Sequence, residues 1–330
     1  MGSLIRVESG HLAGSGHLSR ARALSRLSSG MTIVNRGSAQ ENCLNLPDDL
    51  ALVSELDRLP DADLLVLDFS CDPILKNDPA ELMAYLGGLR QKFKNVFLID
   101  GLAQGSLVHS LSLSENITEF VDRLIVPYPL DLAFKKISKT LTGAQFFGGL
   151  EYFVFGEGFL NVCRQESGAG DYILVSFGGS DPWGMSEGFI QLLEALPEYS
   201  FKVIQGPSFN RELTSPFAHV EILKNHSNLA PLIQNASWLV TYPALTRYEA
   251  AFLGVPSMVV SPNENWQRLN QQFMNLEAGV DLGIQGALSL ARMADAFGDA
   301  QLSKQLSRNA KELFSGYSLE LIKKVYLNEQ

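Results

Sequence analysis

Eight short runs rich in Val, Ile and Leu punctuate the chain: 4–7 (LIRV), 63–69 (DLLVLDF), 95–100 (NVFLID), 123–128 (RLIVPY), 171–177 (DYILVSF), 200–206 (SFKVIQG), 237–242 (SWLVTY) and 256–262 (PSMVVSP). They show little polar alternation, which suits parallel strands covered on both faces. Helical spacing fills the intervals at 17–28, 79–94, 185–196, 244–253 and 266–278. Strand alternating with helix predicts right-handed crossovers and a doubly wound α/β architecture. The pattern runs twice, on either side of the glycine-broken stretch GGLEYFVFGEGFLNVCRQESGAG (148–170). The expected domains are therefore 1–155 and 156–311, two Rossmann-like units facing across a cleft. Ligands of such sheets lie outside the carboxyl ends of the strands, so the active site is expected between them.

Composition narrows the function. A chain of 330 residues, 46% hydrophobic, is large enough for two such cores. With 26 Lys and Arg against 36 Asp and Glu, the formal charge of -10 repels a phosphate backbone. No nucleic-acid partner is expected. Cys43, Cys71 and Cys163 fit neither a disulfide framework nor a zinc site, which implies a reducing, cytoplasmic setting. No run approaches the ~18–20 apolar residues of a membrane span, so no integral membrane segment is expected, and the protein is read as a monomer.

The stretch GHLAGSGH (10–17) follows the first strand and opens the first helix. Glycines there let backbone amides approach an anion at a helix N-terminus. Gly10, Gly14 and Gly16 match neither the P-loop nor the G-x-G-x-x-G fingerprint. The distinguishing residue is His17. A helix N-terminus disfavours the added positive charge on an imidazole, so His17 is expected to be neutral and able to serve as a general base. The alternative is a capping histidine in a tight turn. Arg20, three residues on, shares its helix face and could reach a phosphate or carboxylate, or form a structural salt bridge. In the second half, VSFGGSDP (175–182) is another strand-to-glycine turn whose Gly178, Gly179 and Ser180 could hold a diphosphate. The helix after Pro243 opens with Ala244, Leu245 and Thr246, whose free N–H groups could bind phosphate. Asn265 and Gln267 are amides able to read sugar hydroxyls or N-acetyl groups, or else one polar helix face. Asp68 and Asp100 end strands, where they could bind sugar or cap the next helix. The pair Asp61 and Asp63 precedes its strand and so lies at the amino end, away from the ligand edge; no metal or cofactor is expected.

These motifs, in order, resemble the UDP-2,4-diacetamido-2,4,6-trideoxy-β-L-altropyranose hydrolases of pseudaminic acid synthesis and related spore-coat polysaccharide proteins. The landmarks are RVES and AGSGHLSR, LLVLDF, FLIDGLA, FFGGLEYFVF, ILVSFGGSDP, NLAPLIQNASWLVTY and YEAAFLGVPSMVV, and they cover nearly the whole chain. The resemblance implies a GT-B-like fold and a UDP-sugar substrate that binds with Gly14, Ser15 and Gly16 near its diphosphate and sugar. It further implies ribose contacts from Glu249, otherwise a solvated helix residue, and uracil contacts from the Leu229 segment. It also implies that the last helix, within 312–330, crosses back to the first domain. The chain departs from that family at three strand ends, with Phe69-Ser70 in place of His-Tyr, Gly101 in place of a second Asp, and Pro243-Ala244-Leu245 in place of a glycine-rich turn. These departures bear on the sugar more than on the fold. The expected reaction is hydrolysis of the anomeric C–O bond with His17 as base, and the alternative is metal-independent glycosyl transfer by the same base.

Overall fold

The computed structural model describes residues 2–9, 16–28, 30–37, 39–47, 50–68, 79–100, 119–130, 135–136, 139, 143–162, 170–224, 226 and 228–329. The chain divides into two compact units, Met1–Gly156 with Tyr317–Gln330, and Glu157–Gly316. Each is an α/β unit built on a fully parallel sheet.

The first unit contains β1 (Ser3–Ser9), α1 (Gly16–Leu27), β2 (Met31–Gly37), β3 (Leu44–Leu46), α2 (Leu52–Glu55), β4 (Leu64–Asp68), α3 (Pro79–Lys92), β5 (Asn95–Ile99), β6 (Arg123–Val126) and β7 (Gln145–Gly148). The second contains α4 (Glu157–Leu160), β8 (Tyr172–Ser176), α5 (Met185–Leu192), β9 (Phe201–Gln205), β10 (Val220–Lys224), α6 (Ala230–Gln234), β11 (Ala236–Thr241), α7 (Thr246–Leu253), β12 (Ser257–Ser261), α8 (Glu264–Met274), β13 (Gly279–Ile284), α9 (Leu290–Gly298) and α10 (Ala300–Glu312). The chain then returns to the first unit as α11 (Leu319–Tyr326).

Strand order is β3-β2-β1-β4-β5-β6-β7 in one sheet and β10-β9-β8-β11-β12-β13 in the other. Both orders reverse direction once, between β1 and β4 and between β8 and β11. In doubly wound sheets that reversal opens a crevice at the carboxyl edge. Five strands lie outside the eight apolar runs, and four of them (β3, β7, β10 and β13) are sheet edges. An edge strand is half solvated and need not read as a continuous apolar run. The fifth, β2, carries Asn35 and Arg36, whose polarity hides an interior strand.

In the first unit, Leu18, Ala21 and Leu24 of α1 pack with Ile5, Val7, Ile33 and Val66 of the sheet and with Ile322, Val325 and Tyr326 of α11. Arg123 fixes α11 by donating from Nη1 to the carbonyls of Lys324 and Val325 at 2.8 and 2.7 Å, while its guanidinium lies 4.4 Å from the Phe97 ring. A cation at the C-terminal carbonyls also opposes the helix dipole. The opposite face of the sheet carries a buried ionic network among apolar residues such as Val34, Leu65 and Leu67. Fully buried Arg6 donates through Nε and Nη2 to both oxygens of Glu55 at 3.2 and 3.0 Å, and through Nη1 to Glu8 at 2.8 Å. Arg36 Nη1 and Tyr85 Oη add contacts to Glu55 at 3.0 and 2.9 Å.

Such a network stabilises only while its charges balance. Glu55→Gln leaves two guanidinium groups short of a counter-charge, and an expected loss of ~3–5 kcal/mol would be read as a lower denaturant midpoint.

Candidate active site

His17 is the second residue of α1, directly beyond the carboxyl end of β1. Asp68 is the last residue of β4, paired in register with Val7 of β1. The two residues therefore flank the strand reversal of the first unit, and His17 Nδ1 lies 2.7 Å from Asp68 Oδ1. A carboxylate only accepts, so Nδ1 is assigned the proton and Nε2 keeps its lone pair. The His17 side chain is 20% exposed, whereas that of Asp68 is 1% exposed. Burial alone would raise the Asp68 carboxyl, but the Arg20 guanidinium and then His17 outweigh it and hold the group below the usual carboxylate range.

Arg20, one turn along α1, places Nε 3.3 Å from Asp68 Oδ2, and its Nη2 donates to Tyr128 Oη at 2.7 Å. Tyr326 of α11, buried beside this group, donates from its hydroxyl to the Tyr152 carbonyl at 2.6 Å. Arg20 and Asp68, for which substrate contact, a structural salt bridge or a helix cap were the alternatives, have buried side chains that engage each other, His17 and Tyr128. They orient the imidazole. Asp100, just past β5, has a buried side chain, and its backbone N–H donates to the Ile125 carbonyl at 2.9 Å. Gly16 opens α1, and Gly14 and Ser15 lie outside the described residues. The Asp61 and Asp63 pair sits before β4, at its amino end.

The second unit offers two helix N-termini at its own strand reversal, and they differ. At α5, Asp181 accepts from the amides of Met185 and Ser186, both at 2.8 Å, so a carboxylate of the chain already occupies that end. The diphosphate site expected at 178–180 therefore does not extend onto α5. What remains there is the turn itself, with Gly178 at φ 83° and Ser180 buried. A Cβ on Gly178 would lie 3.0 Å from Tyr242 Oη, so glycine is needed for space as well as for its left-handed backbone.

The other N-terminus, α7, begins at Thr246, two residues later than the sequence pattern placed it. Ala244 and Leu245 form the turn before it, with Ala244 N donating to the Tyr242 carbonyl at 2.6 Å. No side chain caps this end, and the amides of Leu245, Thr246 and Arg247 donate to no group among the described residues. Open amides and the helix dipole make this an anion site in form. Glu249, in the first turn, is half-buried, its carboxyl has no hydrogen-bond or ion-pair partner among the described residues, and desolvation raises that carboxyl to about 7. Arg247 is fully buried. Its guanidinium donates to Asn270 Oδ1 at 3.0 Å and Tyr248 Oη at 3.2 Å and lies 5.1 Å from the Phe273 ring, which ties α7 to α8.

Leu229 is half-buried immediately before α6, after β10. Asn265 and Gln267 stand in the first turn of α8, where Asn263 accepts from the amides of Asn265 and Trp266 at 3.1 and 3.2 Å. Several of these partners escaped sequence reasoning. The Asp181 cap had a local signal, an acidic residue followed by Pro four residues ahead of the helix. Tyr128 and Tyr326 had none, since they reach Arg20 from 108 and 306 residues away along the chain.

No family model matches the chain. Among curated proteins, an uncharacterised protein of Methanocaldococcus jannaschii is 30% identical over 145 residues, which is 40% of this chain and 29% of that one. The chain thus spans less than a third of that relative's length. By fold, the chain is similar to a Staphylococcus aureus MnaA–UDP co-structure, with TM-score 0.64, 10% identity, and coverage of 99% of this chain and 97% of that one. It is also similar to UDP-GlcNAc 2-epimerase from Neisseria meningitidis bound to UDP-GlcNAc, with TM-score 0.58, 10% identity and 99% and 100% coverage. A third is the glycosyltransferase SnogD from Streptomyces nogalater, with TM-score 0.55, 14% identity and 95% coverage of both chains. At these identities the likeness establishes the fold, two Rossmann-like α/β units of the GT-B kind. No helix among the described residues is long and apolar enough to cross a membrane.

The His17–Asp68 geometry can be checked without any substrate. Above pH 8, nitrogen NMR of imidazole-labelled protein should find His17 in the Nδ1–H tautomer, and Asp68→Asn should abolish that preference. An Nε2–H tautomer in the unaltered protein would contradict the assigned hydrogen bond.

Proposed function

We propose that the chain is an enzyme acting on a UDP-sugar, and that it hydrolyses the anomeric C–O bond to release UDP and the free sugar. The observation that carries this reading is the His17–Asp68 pair at the first unit's strand reversal, on a partly exposed ring whose Nε2 has no hydrogen-bond partner among the described residues. The fold neighbours lend support, since they include a UDP complex, a UDP-GlcNAc complex and a glycosyltransferase. The resemblance of the sequence motifs makes the sugar a di-N-acetylated deoxyhexose of the kind used in pseudaminic acid or surface polysaccharide synthesis.

In this mechanism, a water oxygen attacks the anomeric carbon while His17 Nε2 takes its proton. The bond to the β-phosphate oxygen breaks, and its electron pair leaves with UDP. Asp68 stabilises the imidazolium that forms and holds the ring in one tautomer, as an orienting carboxylate does in other base-catalysed hydrolases. The open amides of α7 and Thr246 accept the diphosphate, with the Gly178–Ser180 turn beside them, so negative charge on the leaving group meets fixed donors. Glu249 accepts hydrogen bonds from the ribose hydroxyls, and the Leu229 segment meets the uracil. UDP is a good leaving group, no general acid is required, and direct displacement inverts the anomeric centre.

A second reading is glycosyl transfer, in which an acceptor hydroxyl replaces water. It is favoured by Phe69-Ser70, which removes the tyrosine the hydrolases carry, and by a glycosyltransferase among the fold neighbours. The two are separated by following UDP release from a panel of UDP-sugars with and without acceptors. Acceptor-independent release that falls ~10²–10⁴-fold in His17→Ala supports hydrolysis, whereas release only with an acceptor supports transfer.

Glu249 adds a pH signature. Its folded pKa lies above the unfolded value of ~4.3, so its burial costs stability progressively as pH rises from there to about 7. A ribose that donates to the carboxylate favours the charged form and lowers that pKa. UDP binding near pH 6.5 should therefore release protons from Glu249 in addition to those of the terminal phosphate, measured by calorimetry in buffers of different ionisation enthalpy, and Glu249→Gln should reduce the release.

A further inference from the structure

Three aromatic rings gather at the carboxyl edge of the second unit's sheet, apart from the groups used so far. Trp183 lies in the β8–α5 connection and is 44% exposed. Trp266 is in the first turn of α8 after β12, and Tyr242 follows β11. The Trp183 and Trp266 ring centroids are 6.4 Å apart at 73°, and those of Trp266 and Tyr242 are 5.7 Å apart at 49°. The chain's other tryptophan, Trp238, is 3% exposed within the core.

An exposed indole forgoes the roughly 25 cal/mol per Å² that burial would contribute. Here the exposed ring is also held on a rigid support. Asp181 and Gly184, the latter at φ 62°, brace the turn that carries Trp183. The Asn263 cap fixes the turn that carries Trp266, and burial pushes the Tyr242 hydroxyl up to about 12, which keeps it neutral. Asn265 and Gln267 bracket Trp266, and their side-chain amides have no partner among the described residues. An indole, with amides at the adjoining positions of the same helical turn, offers the two kinds of surface that suit a pyranose. Its C–H face lies against an aromatic ring, while its hydroxyls and N-acetyl group exchange hydrogen bonds with amides.

Strand order points the same way. The Leu229 segment follows β10, α7 follows β11 and Trp266 follows β12; β12 is the immediate neighbour of β11 on the side away from β10, which lies beyond β8 and β9. A ligand with its base at Leu229 and its diphosphate at α7 brings its sugar to the β12 side. We propose that Trp183 and Trp266 form a platform for the hexose ring of the nucleotide sugar, with Asn265 and Gln267 reading its polar substituents. This rests on the UDP-sugar reading above and specifies the sugar class, a hexose with an apolar ring face and an amide substituent.

The test compares UDP with UDP-GlcNAc by calorimetry and tryptophan fluorescence on the unaltered protein, Trp183→Ala, Trp266→Ala and Trp266→Phe. The expected result is that each Ala variant weakens UDP-GlcNAc binding about 3- to 10-fold while UDP affinity is unchanged, and Phe restores most of the loss. Equal weakening of both ligands would assign the rings to the base, and no change in either would remove the platform; both overturn the proposal. If the unaltered protein binds neither nucleotide, the UDP-sugar reading falls. Free N-acetylglucosamine then decides the platform alone, since it must still alter indole fluorescence in the unaltered protein and not in Trp183→Ala.

Discussion

A carboxylate with 1% exposure can remain ionised only if fixed positive charge and donors replace its lost water, and Asp68 meets that condition through Arg20 and His17. The consequence is mechanical as well as electrostatic. Asp68 ends β4, while both partners stand on α1, so one side chain fixes the start of that helix against the strand beside β1. Arg20 is in turn set by Tyr128 after β6, and Tyr326 of α11 packs beside it. Elements far apart in sequence thus determine where a single imidazole points.

The second unit shows the same economy in a different form. Two helix N-termini stand at its strand reversal, and the chain fills one with Asp181 and leaves α7 uncapped. A helix end already holding a carboxylate repels a second anion, so the two ends are not interchangeable. Arg247 strengthens the contrast. Among the described residues its buried guanidinium meets an amide, a phenol and aromatic faces rather than a carboxylate, so its charge adds to the positive field at α7.

The sheet interiors were legible in the sequence because both faces of those strands are buried, so Leu64–Asp68 and Ser257–Ser261 stand out as unbroken apolar runs. The edges were not legible, because a half-solvated strand such as Val220–Lys224 carries Glu221 and Lys224 among its apolar residues. The same divide runs through the site. His17 could be singled out because a glycine turn and a helix start are local signals, whereas Glu249 stood out through the motif resemblance. For Asp68 and Arg20 the sequence left substrate contact and a structural role both open, since nothing near them in the chain reveals that each is the other's partner.

The first unit is closed by a helix that belongs to the far end of the chain. Ile322, Val325 and Tyr326 complete a core begun by Ile5 and Val7, with all of Glu157–Gly316 intervening. During synthesis the second unit, contiguous in sequence, has its whole fold available first, while the earlier-made strands wait with one hydrophobic face uncovered. The first unit's core is therefore complete only once residues beyond the whole second unit have been made, and Tyr326, which packs beside Arg20, joins the imidazole's surroundings from there.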